Sequence, residues 1–118
     1  MSLRPLVLII HAFGGHPRKF WYDRLAKALR ATHPTADVEV LHMTEAYTPR
    51  IEAWVGDVTR RVAAAATAPT PDQPRALYLI GHSVGCQTIV RYLSLGPPAL
   101  RLGGCLCVAA WFAVADPW

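Results

Sequence analysis

The segment LYLIGHSVGCQTIV, residues 77–90, decides how this chain folds. An apolar run ends at Gly81, and a pattern with helical spacing begins just after Ser83, so a predicted strand passes almost directly into a predicted helix. Such a turn needs a tight bend, and the residue at its apex is strained, with its side chain pushed out of the sheet. Gly81 and Gly85 are the small residues that this close approach of strand and helix requires.

Apolar runs and helical patterns alternate along the whole chain. This β-α-β-α-β-α-β order predicts an α/β fold, a three-layer sandwich with a mostly parallel sheet and helices on both faces. The first helix should bury the face that carries Trp21, Leu25, Ala28 and Leu29. Strands are predicted at 5–10, 37–43, 75–81 and 104–112, and helices at 18–31, 49–66 and 84–95.

Composition limits the classes of protein to consider. The chain has 118 residues, 53% of them hydrophobic and 17% charged, which predicts one globular domain over residues 1–118. The net charge of +4 is scattered, so no nucleic-acid partner is expected. The apolar runs are too short to span a membrane, and no signal peptide is recognised.

Three cysteines occur in the chain, and their spacing is not that of a zinc site. No metal or other cofactor is expected. Cys105 and Cys107 lie in an apolar run and are predicted to pack in the interior as small hydrophobic residues. Free thiols suit a reducing compartment, and this favours a cytoplasmic location.

The position of Ser83 predicts a catalytic nucleophile, the alternative being a serine that only forms a turn. The start of a helix has free backbone N–H groups, so the N–H of Val84 can point at a developing oxyanion. A second donor is expected from the loop after the first strand, where Phe13 is the first choice and Ala12 the second. Both loops follow parallel strands and therefore lie at the same edge of the sheet.

These segments together resemble the α/β-hydrolase fold, and more narrowly the small serine hydrolases of the YdeN and retinoblastoma-binding protein 9 type. The block from Met43 to Trp54 is more diagnostic than the pentapeptide around Ser83. The matching stretches, in the family's order, are VLIIHAFGG, FWYDRLAKAL, VEVLHMTEAYTPRIEAWV, LYLIGHSVGCQTIVRYL and LGGCLCVAAWF.

The resemblance implies a compact, largely cytoplasmic enzyme that hydrolyses esters or related acyl bonds of small molecules. It implies Ser83 as the nucleophile and Phe13 and Val84 at the oxyanion positions. It also implies the strand order 2-1-3-4.

The sequence departs from that family after the fourth predicted strand. The family's acid and histidine follow later strands, in the order Ser, Asp, His, whereas here only Asp116 and no histidine follow Ser83. We therefore interpret the chain as a partial domain, truncated after the fourth strand, with impaired catalysis. A bare apolar edge on that strand predicts self-association.

Two residues outside the bend are weaker candidates for the site. His11 ends the first strand, and its favoured role is to hold the neighbouring loop by hydrogen bonding rather than to act as a base. Asp116 follows the fourth strand, where some α/β-hydrolases place their acid. Without a histidine to orient it cannot complete a triad, and a solvated position is the simpler interpretation.

Three functions remain open from the residues alone. A serine hydrolase is the first. A non-catalytic binding or interaction protein on the same scaffold is the second, and the missing base favours it. An anion-binding flavodoxin-like module is the weakest, because GGHP lacks the pattern of a phosphate loop.

Overall fold

A computed structural model describes residues 4–66, 75–96 and 99–111 of the chain. Strands and helices alternate throughout these ranges, as the sequence predicts. The strands are β1 (Leu6–Ile10), β2 (Asp37–Leu41), β3 (Ala76–His82) and β4 (Arg101–Val108), and the helices are α1 (Tyr22–Thr32), α2 (Ile51–Ala66) and α3 (Val84–Ser94).

The four strands form one parallel sheet in the order β2-β1-β3-β4, which confirms the expected order. The register aligns Ile10 with both Leu41 and Gly81, so β1, β2 and β3 end at nearly the same level. Cys107 on β4 is the partner of Gly81. The loops that follow these strands therefore meet at one edge of the sheet, where ligand sites form in folds of this kind.

Helices cover both faces of the sheet, which confirms the three-layer architecture. The central strand β1 has the sequence LVLII and is buried along its whole length, as expected for a strand covered on both sides. Burying each such aliphatic side chain stabilises the fold by about 1.5–3 kcal/mol. One face packs on α1 through Val7, Ile9, Tyr22, Ala26 and Val38. The other packs on α2 and α3 through a larger set that includes Leu8, Ile10, Trp54, Val58, Leu79 and Ile89.

Most of the predicted buried face of α1 is confirmed, because Trp21, Leu25 and Leu29 pack as partly buried side chains against the cluster formed with the sheet. The helix begins at Tyr22 rather than at residue 18, because Phe20 adopts a φ of 52° and interrupts the helical path. Tyr22 and Ala26 are buried, whereas Ala28, expected in the interior, is exposed. The helical period was correctly predicted, and the most deeply buried positions, Tyr22 and Ala26, lie beside the predicted ones.

The strand β4 lies at the edge of the sheet and is poorly covered. It begins and ends earlier than predicted, and Leu106 is 55% exposed. The prediction that Cys105 and Cys107 are interior was wrong. Both are exposed, because α3 packs mainly on β3 and β1.

The opposite edge strand, β2, has a different chemistry. It carries two acidic residues, Asp37 and Glu39, which pair with arginines from neighbouring segments. Charges on an edge strand discourage pairing with another chain. The part of β4 after Arg101 has no such charges.

Within the described ranges, no helix combines the length and apolarity needed to cross a bilayer. The same ranges hold no cluster of three or more side chains suited to binding a metal ion.

We expect the apolar edge of β4 to drive concentration-dependent self-association. Replacing Leu106 by Lys should shift the chain toward monomer, because a charged side chain on an edge strand opposes strand pairing. Sedimentation velocity over a concentration series would measure this. The matched control is Val90→Lys, since Val90 is 56% exposed and lies on the helix α3 instead of on the edge strand. An equal effect of both substitutions would contradict a role for the β4 edge.

Candidate functional site

The chain bends sharply at Ser83, between the end of β3 and the first residue of α3. Ser83 has φ 57° and ψ −118°, a conformation that costs a residue with a side chain about 1–3 kcal/mol. Its hydroxyl does not cap α3 and makes no hydrogen bond to another described residue. The side chain is half-buried, so its oxygen remains accessible at the site and is not used in a structural hydrogen bond.

Glycines on both sides of Ser83 allow the bend because side chains would not fit there. A Cβ on Gly81 would lie 2.8 Å from Ile89 Cδ1 and 2.9 Å from the Cys86 nitrogen. A Cβ on Gly85 would lie 2.2 Å from the carbonyl oxygen of Ile10. The first turn of α3 therefore rests directly on the end of β1.

The end of β4 braces the bend from the other side. The Ser83 N–H donates to the carbonyl oxygen of Val108 at 2.8 Å, and the Ser83 carbonyl accepts from the Cys86 N–H at 2.9 Å. The Cys86 thiol also donates to Val108, with 3.4 Å between sulfur and oxygen. The backbone of Ser83 is thus fixed while its side chain is left free.

Two backbone N–H groups at this edge of the sheet have no acceptor among the described residues. They belong to Val84, the first residue of α3, and to Phe13, in the loop after β1. The second-choice donor, Ala12, is already used, because its N–H donates to the Tyr22 hydroxyl at 2.9 Å. Pairs of unpaired amides of this kind can stabilise an oxyanion.

Hydrogen bonds hold the loop that contains Phe13. The Gly14 N–H donates to the Ala46 carbonyl at 2.7 Å, and the Gly15 N–H donates to the Ala12 carbonyl at 3.0 Å. Gly14 has φ 64°, in the left-handed region that glycine adopts without strain. The loop is therefore pre-formed, with the Phe13 ring 56% exposed.

His11 is completely buried beneath this loop, and both of its ring nitrogens are occupied. Its Nε2 accepts from the Met43 N–H at 3.0 Å, so the proton resides on Nδ1, which donates to the Ala12 carbonyl at 2.8 Å. Burial lowers the pKa of His11, with the bond to Ala12 acting in the opposite direction. The imidazole is neutral and holds the loop, so it has no free nitrogen to accept a proton.

Tyr22 connects this loop to the bend. Its hydroxyl accepts from the Ala12 N–H and hydrogen-bonds to His82 Nδ1 at 2.7 Å. His82 itself packs among the rings of Phe20 and Trp21, with centroid distances of 5.6 and 5.2 Å. Burial lowers the pKa of His82. One phenol thus links the residue before Phe13 to the residue before Ser83.

The loop after β2 supports the loop after β1. Trp54 Nε1 donates to the Thr44 carbonyl at 2.7 Å, and the Thr44 N–H donates to the Asp57 carboxylate at 2.8 Å. The Trp54 ring also meets His11 edge-on at 5.3 Å. These contacts give the block from Met43 to Trp54, singled out from the sequence, a structural role beside the site.

The remaining candidates do not join this arrangement. Asp116 lies outside the described residues. His16, His33 and His42 are exposed, and no histidine nitrogen hydrogen-bonds to the Ser83 hydroxyl within the described ranges. Sequence reasoning missed Tyr22 because helical periodicity identifies a buried face and not a hydroxyl with two partners.

Comparison with known proteins gives consistent matches. A family model described as serine hydrolase matches residues 7–115. The putative hydrolase YdeN of Bacillus subtilis (strain 168) is 30% identical over 105 residues, which cover 89% of this chain and 50% of YdeN. The crystal structure of the ydeN gene product from B. subtilis matches with a TM-score of 0.68 and 26% identity, covering 91% of this chain and 52% of that one.

A second solved structure supports the fold alone, because its sequence is only 19% identical. It is the siderophore hydrolase EstB from Aspergillus fumigatus, with a TM-score of 0.67 over 91% of this chain and 36% of EstB. The YdeN match shows that this chain spans about half the length of that relative.

Because the backbone at Ser83 is strained, glycine should be more stabilising than alanine at this position, which reverses their usual order. Ser83→Gly should unfold with a free energy about 1 kcal/mol higher than that of Ser83→Ala, because only glycine adopts this conformation freely. Urea denaturation would measure the difference. At the control position Ser94, in the last turn of α3, glycine should be the less stable of the two. The same sign at both positions would contradict strain at Ser83.

The bridging hydroxyl of Tyr22 predicts a second effect on stability. Tyr22→Phe should lower the free energy of unfolding by about 1–3 kcal/mol, because the buried Ala12 N–H loses its acceptor. The control is Tyr92→Phe, since Tyr92 is also buried and its hydroxyl bonds to no other described residue. Equal losses in the two variants, measured by urea denaturation, would count against the bridge.

Proposed function

Since the chain belongs to the serine hydrolase family, we propose that Ser83 is the nucleophile of a site that acts on esters or related acyl bonds of small molecules. The observation that carries the proposal is the combination of a free hydroxyl at a strained bend with two unpaired amides. The N–H groups of Phe13 and Val84 bind the oxyanion in this assignment.

The reaction is acyl transfer in two steps. The Ser83 oxygen attacks the acyl carbon while its proton passes to solvent water, and the carbonyl oxygen becomes an oxyanion that accepts from the two amides. Collapse of this intermediate breaks the bond to the leaving oxygen, which takes a proton from solvent water and departs as the alcohol, and leaves an acyl group on Ser83. Water then attacks the acyl-enzyme through a second oxyanion and releases the acid. Loss of one oxyanion donor typically costs a factor of about 10²–10³ in rate.

Among the described residues, no general base is hydrogen-bonded to Ser83, and this limits the rate that we propose for the chain. Neither His11, whose two nitrogens are occupied, nor His82, bonded to Tyr22 through Nδ1, is hydrogen-bonded to the Ser83 hydroxyl. Oxyanion binding and substrate positioning alone retain an acceleration of roughly 10³–10⁴ over water in serine hydrolases that lack their triad. We therefore expect acylation by activated esters and slow turnover.

Exposed aromatic rings favour a small apolar acyl group. Phe13 and Phe20 are 56% and 61% exposed, and Trp21 is half-buried. Phe13 belongs to the loop with the unpaired amide, and Phe20 and Trp21 pack on His82. A flat apolar substituent would bury part of these rings when it binds.

A non-catalytic binding or interaction protein is the second candidate. The absence of a hydrogen-bonded base at Ser83 among the described residues favours it, because an unactivated serine is a weak nucleophile at neutral pH. For either function, the free cysteines Cys86, Cys105 and Cys107 support a cytoplasmic location.

Covalent labelling distinguishes the two candidates. The full chain is incubated with a fluorophosphonate and, separately, with p-nitrophenyl acetate, and its intact mass is recorded over time. We expect one adduct on the wild type and none on Ser83→Ala. Ser94→Ala is the matched control, because Ser94 lies on the same helix with its hydroxyl bonded to the Arg91 carbonyl, and it should label like the wild type.

Two results would change the assignment. Equal labelling of the wild type and Ser83→Ala would remove Ser83 as the nucleophile. A folded wild type that takes up neither reagent would favour the non-catalytic binding protein.

A further inference from the structure

A second reactive group lies behind Ser83, where two cysteines flank Gly81. Cys107 on β4 is the register partner of Gly81 on β3. A Cβ on Gly81 would lie 2.9 and 3.0 Å from the nitrogen and Cα of Cys86, in the first turn of α3. Paired residues of parallel strands point to the same face of the sheet. The side chain of Cys107 therefore points to the face on which Cys86 rests, and Gly81 puts no side chain between them.

The Cys86 thiol is directed toward β4. Its sulfur lies 3.4 Å from the carbonyl oxygen of Val108, the residue next to Cys107. Burial raises the pKa of the Cys86 thiol to about 11, and the neighbouring Cys107 thiol contributes to the shift. The two side chains thus face each other across one glycine.

We propose that Cys86 and Cys107 are a redox pair that closes to an intramolecular disulfide and ties the first turn of α3 to β4. The reaction is independent of whether Ser83 is a nucleophile. It joins the helix that carries the bend to the strand end that braces it.

The two thiols differ in access, and this sets the order of the chemistry. Cys107 is exposed, whereas Cys86 is 1% exposed. With a peroxide as oxidant, the Cys107 thiolate attacks one peroxide oxygen, the O–O bond breaks, and hydroxide leaves as water after gaining a proton. The sulfur of Cys86 then loses its proton and attacks the sulfenic sulfur of Cys107, and a second water leaves. Two thiols and one peroxide give one disulfide and two waters.

Cys105 is the nearest competitor, and its position is less suitable. Cys105 lies two residues before Cys107 on β4, so a bond between these two cysteines would span about 6.6 Å along the strand, near the upper limit for a disulfide. A bond between Cys105 and Cys86 is also less favoured. The register partner of Cys105 is Leu79, a buried leucine, instead of a glycine. The geometry therefore favours Cys107 as the partner of Cys86.

The test begins with the reduced full chain treated with hydrogen peroxide at about equimolar concentration. The chain is then unfolded in guanidinium chloride, so that buried thiols react, and alkylated with N-ethylmaleimide, and its mass is recorded. We expect the wild type to lose two of its three alkylation sites and Cys105→Ser to lose both of its sites. Cys107→Ser should keep both of its thiols. The two serine variants are matched, since both change an exposed cysteine of β4.

Peptide mapping identifies the bond. Trypsin cleaves after Arg75, Arg91 and Arg101, so Cys86 lies in the peptide 76–91 and both other cysteines lie in 102–118. In Cys105→Ser, a non-reduced digest should contain these two peptides joined, and dithiothreitol should separate them. In Cys86→Ser, dimedone should trap the sulfenic acid at Cys107, because the second thiol is missing. The tie should raise the Tm of the oxidised chain by on the order of 5 °C.

Three results would overturn the proposal. One is a disulfide-linked dimer through Cys107 instead of a bond within one chain. Another is equal loss of thiols in Cys105→Ser and Cys107→Ser. The third is a wild type whose Cys107 accumulates the dimedone adduct as fully as Cys86→Ser does, since a nearby Cys86 should consume the sulfenic acid.

Discussion

The backbone of Gly85 lies so close to the end of β1 that even a methyl group would overlap the carbonyl oxygen of Ile10, at 2.2 Å. This contact places the first turn of α3 against the start of the loop that contains Phe13. It forces the chain to reverse within one residue, and Ser83 takes the strained conformation as a result. The free hydroxyl of Ser83 and the unpaired amide of Val84 follow from this single approach of helix to strand.

Hydrogen bonds of the buried side chains of His11 and Tyr22 hold the loops around Ser83 in fixed positions. His11 uses one nitrogen for the loop after β1 and the other for the loop after β2. Tyr22 does the same between the loop after β1 and the end of β3. Because these groups are buried and fully paired, moving one loop would leave donors or acceptors unpaired in the interior, at a cost of about 1–3 kcal/mol each. The apolar core fixes the layers, and these few polar bonds fix the positions of the loops.

The order of elements and the bend were predictable because both depend on local pattern. Continuous apolar runs identify buried parallel strands, and two glycines spaced around Ser83 identify a close approach. The start of α1 was not predictable in this way, since the turn at Phe20 that delays it has no strong sequence signal. The exposure of Cys105 and Cys107 was missed because an apolar run specifies a strand, and only the arrangement of helices decides how much of the strand they cover.

The same locality explains which site residues could be found. Ser83, Gly81 and Gly85 lie within five consecutive positions, so a motif contains them. Tyr22 and His82 are 60 residues apart, and their bond exists only in the folded chain. The free amide of Phe13 could be proposed from its place after β1, whereas the use of the Ala12 amide depended on seeing Tyr22.

The enclosed imidazole of His11 makes the fold sensitive to acid. Burial holds its pKa below the usual value of about 6.5, so the folded chain resists a proton that the unfolded chain accepts. The stabilisation is complete above about pH 6.5 and is lost as the pH falls through the lower value of the folded state. Protonating Nε2 would also break the bond from Met43, so weak acid should loosen the joint between the first two loops before it disturbs the aliphatic core. Hydrogen exchange at the Met43 amide, compared near neutrality and near pH 5 after correction for intrinsic rates, would reveal that order, and uniform loss of protection would disprove it.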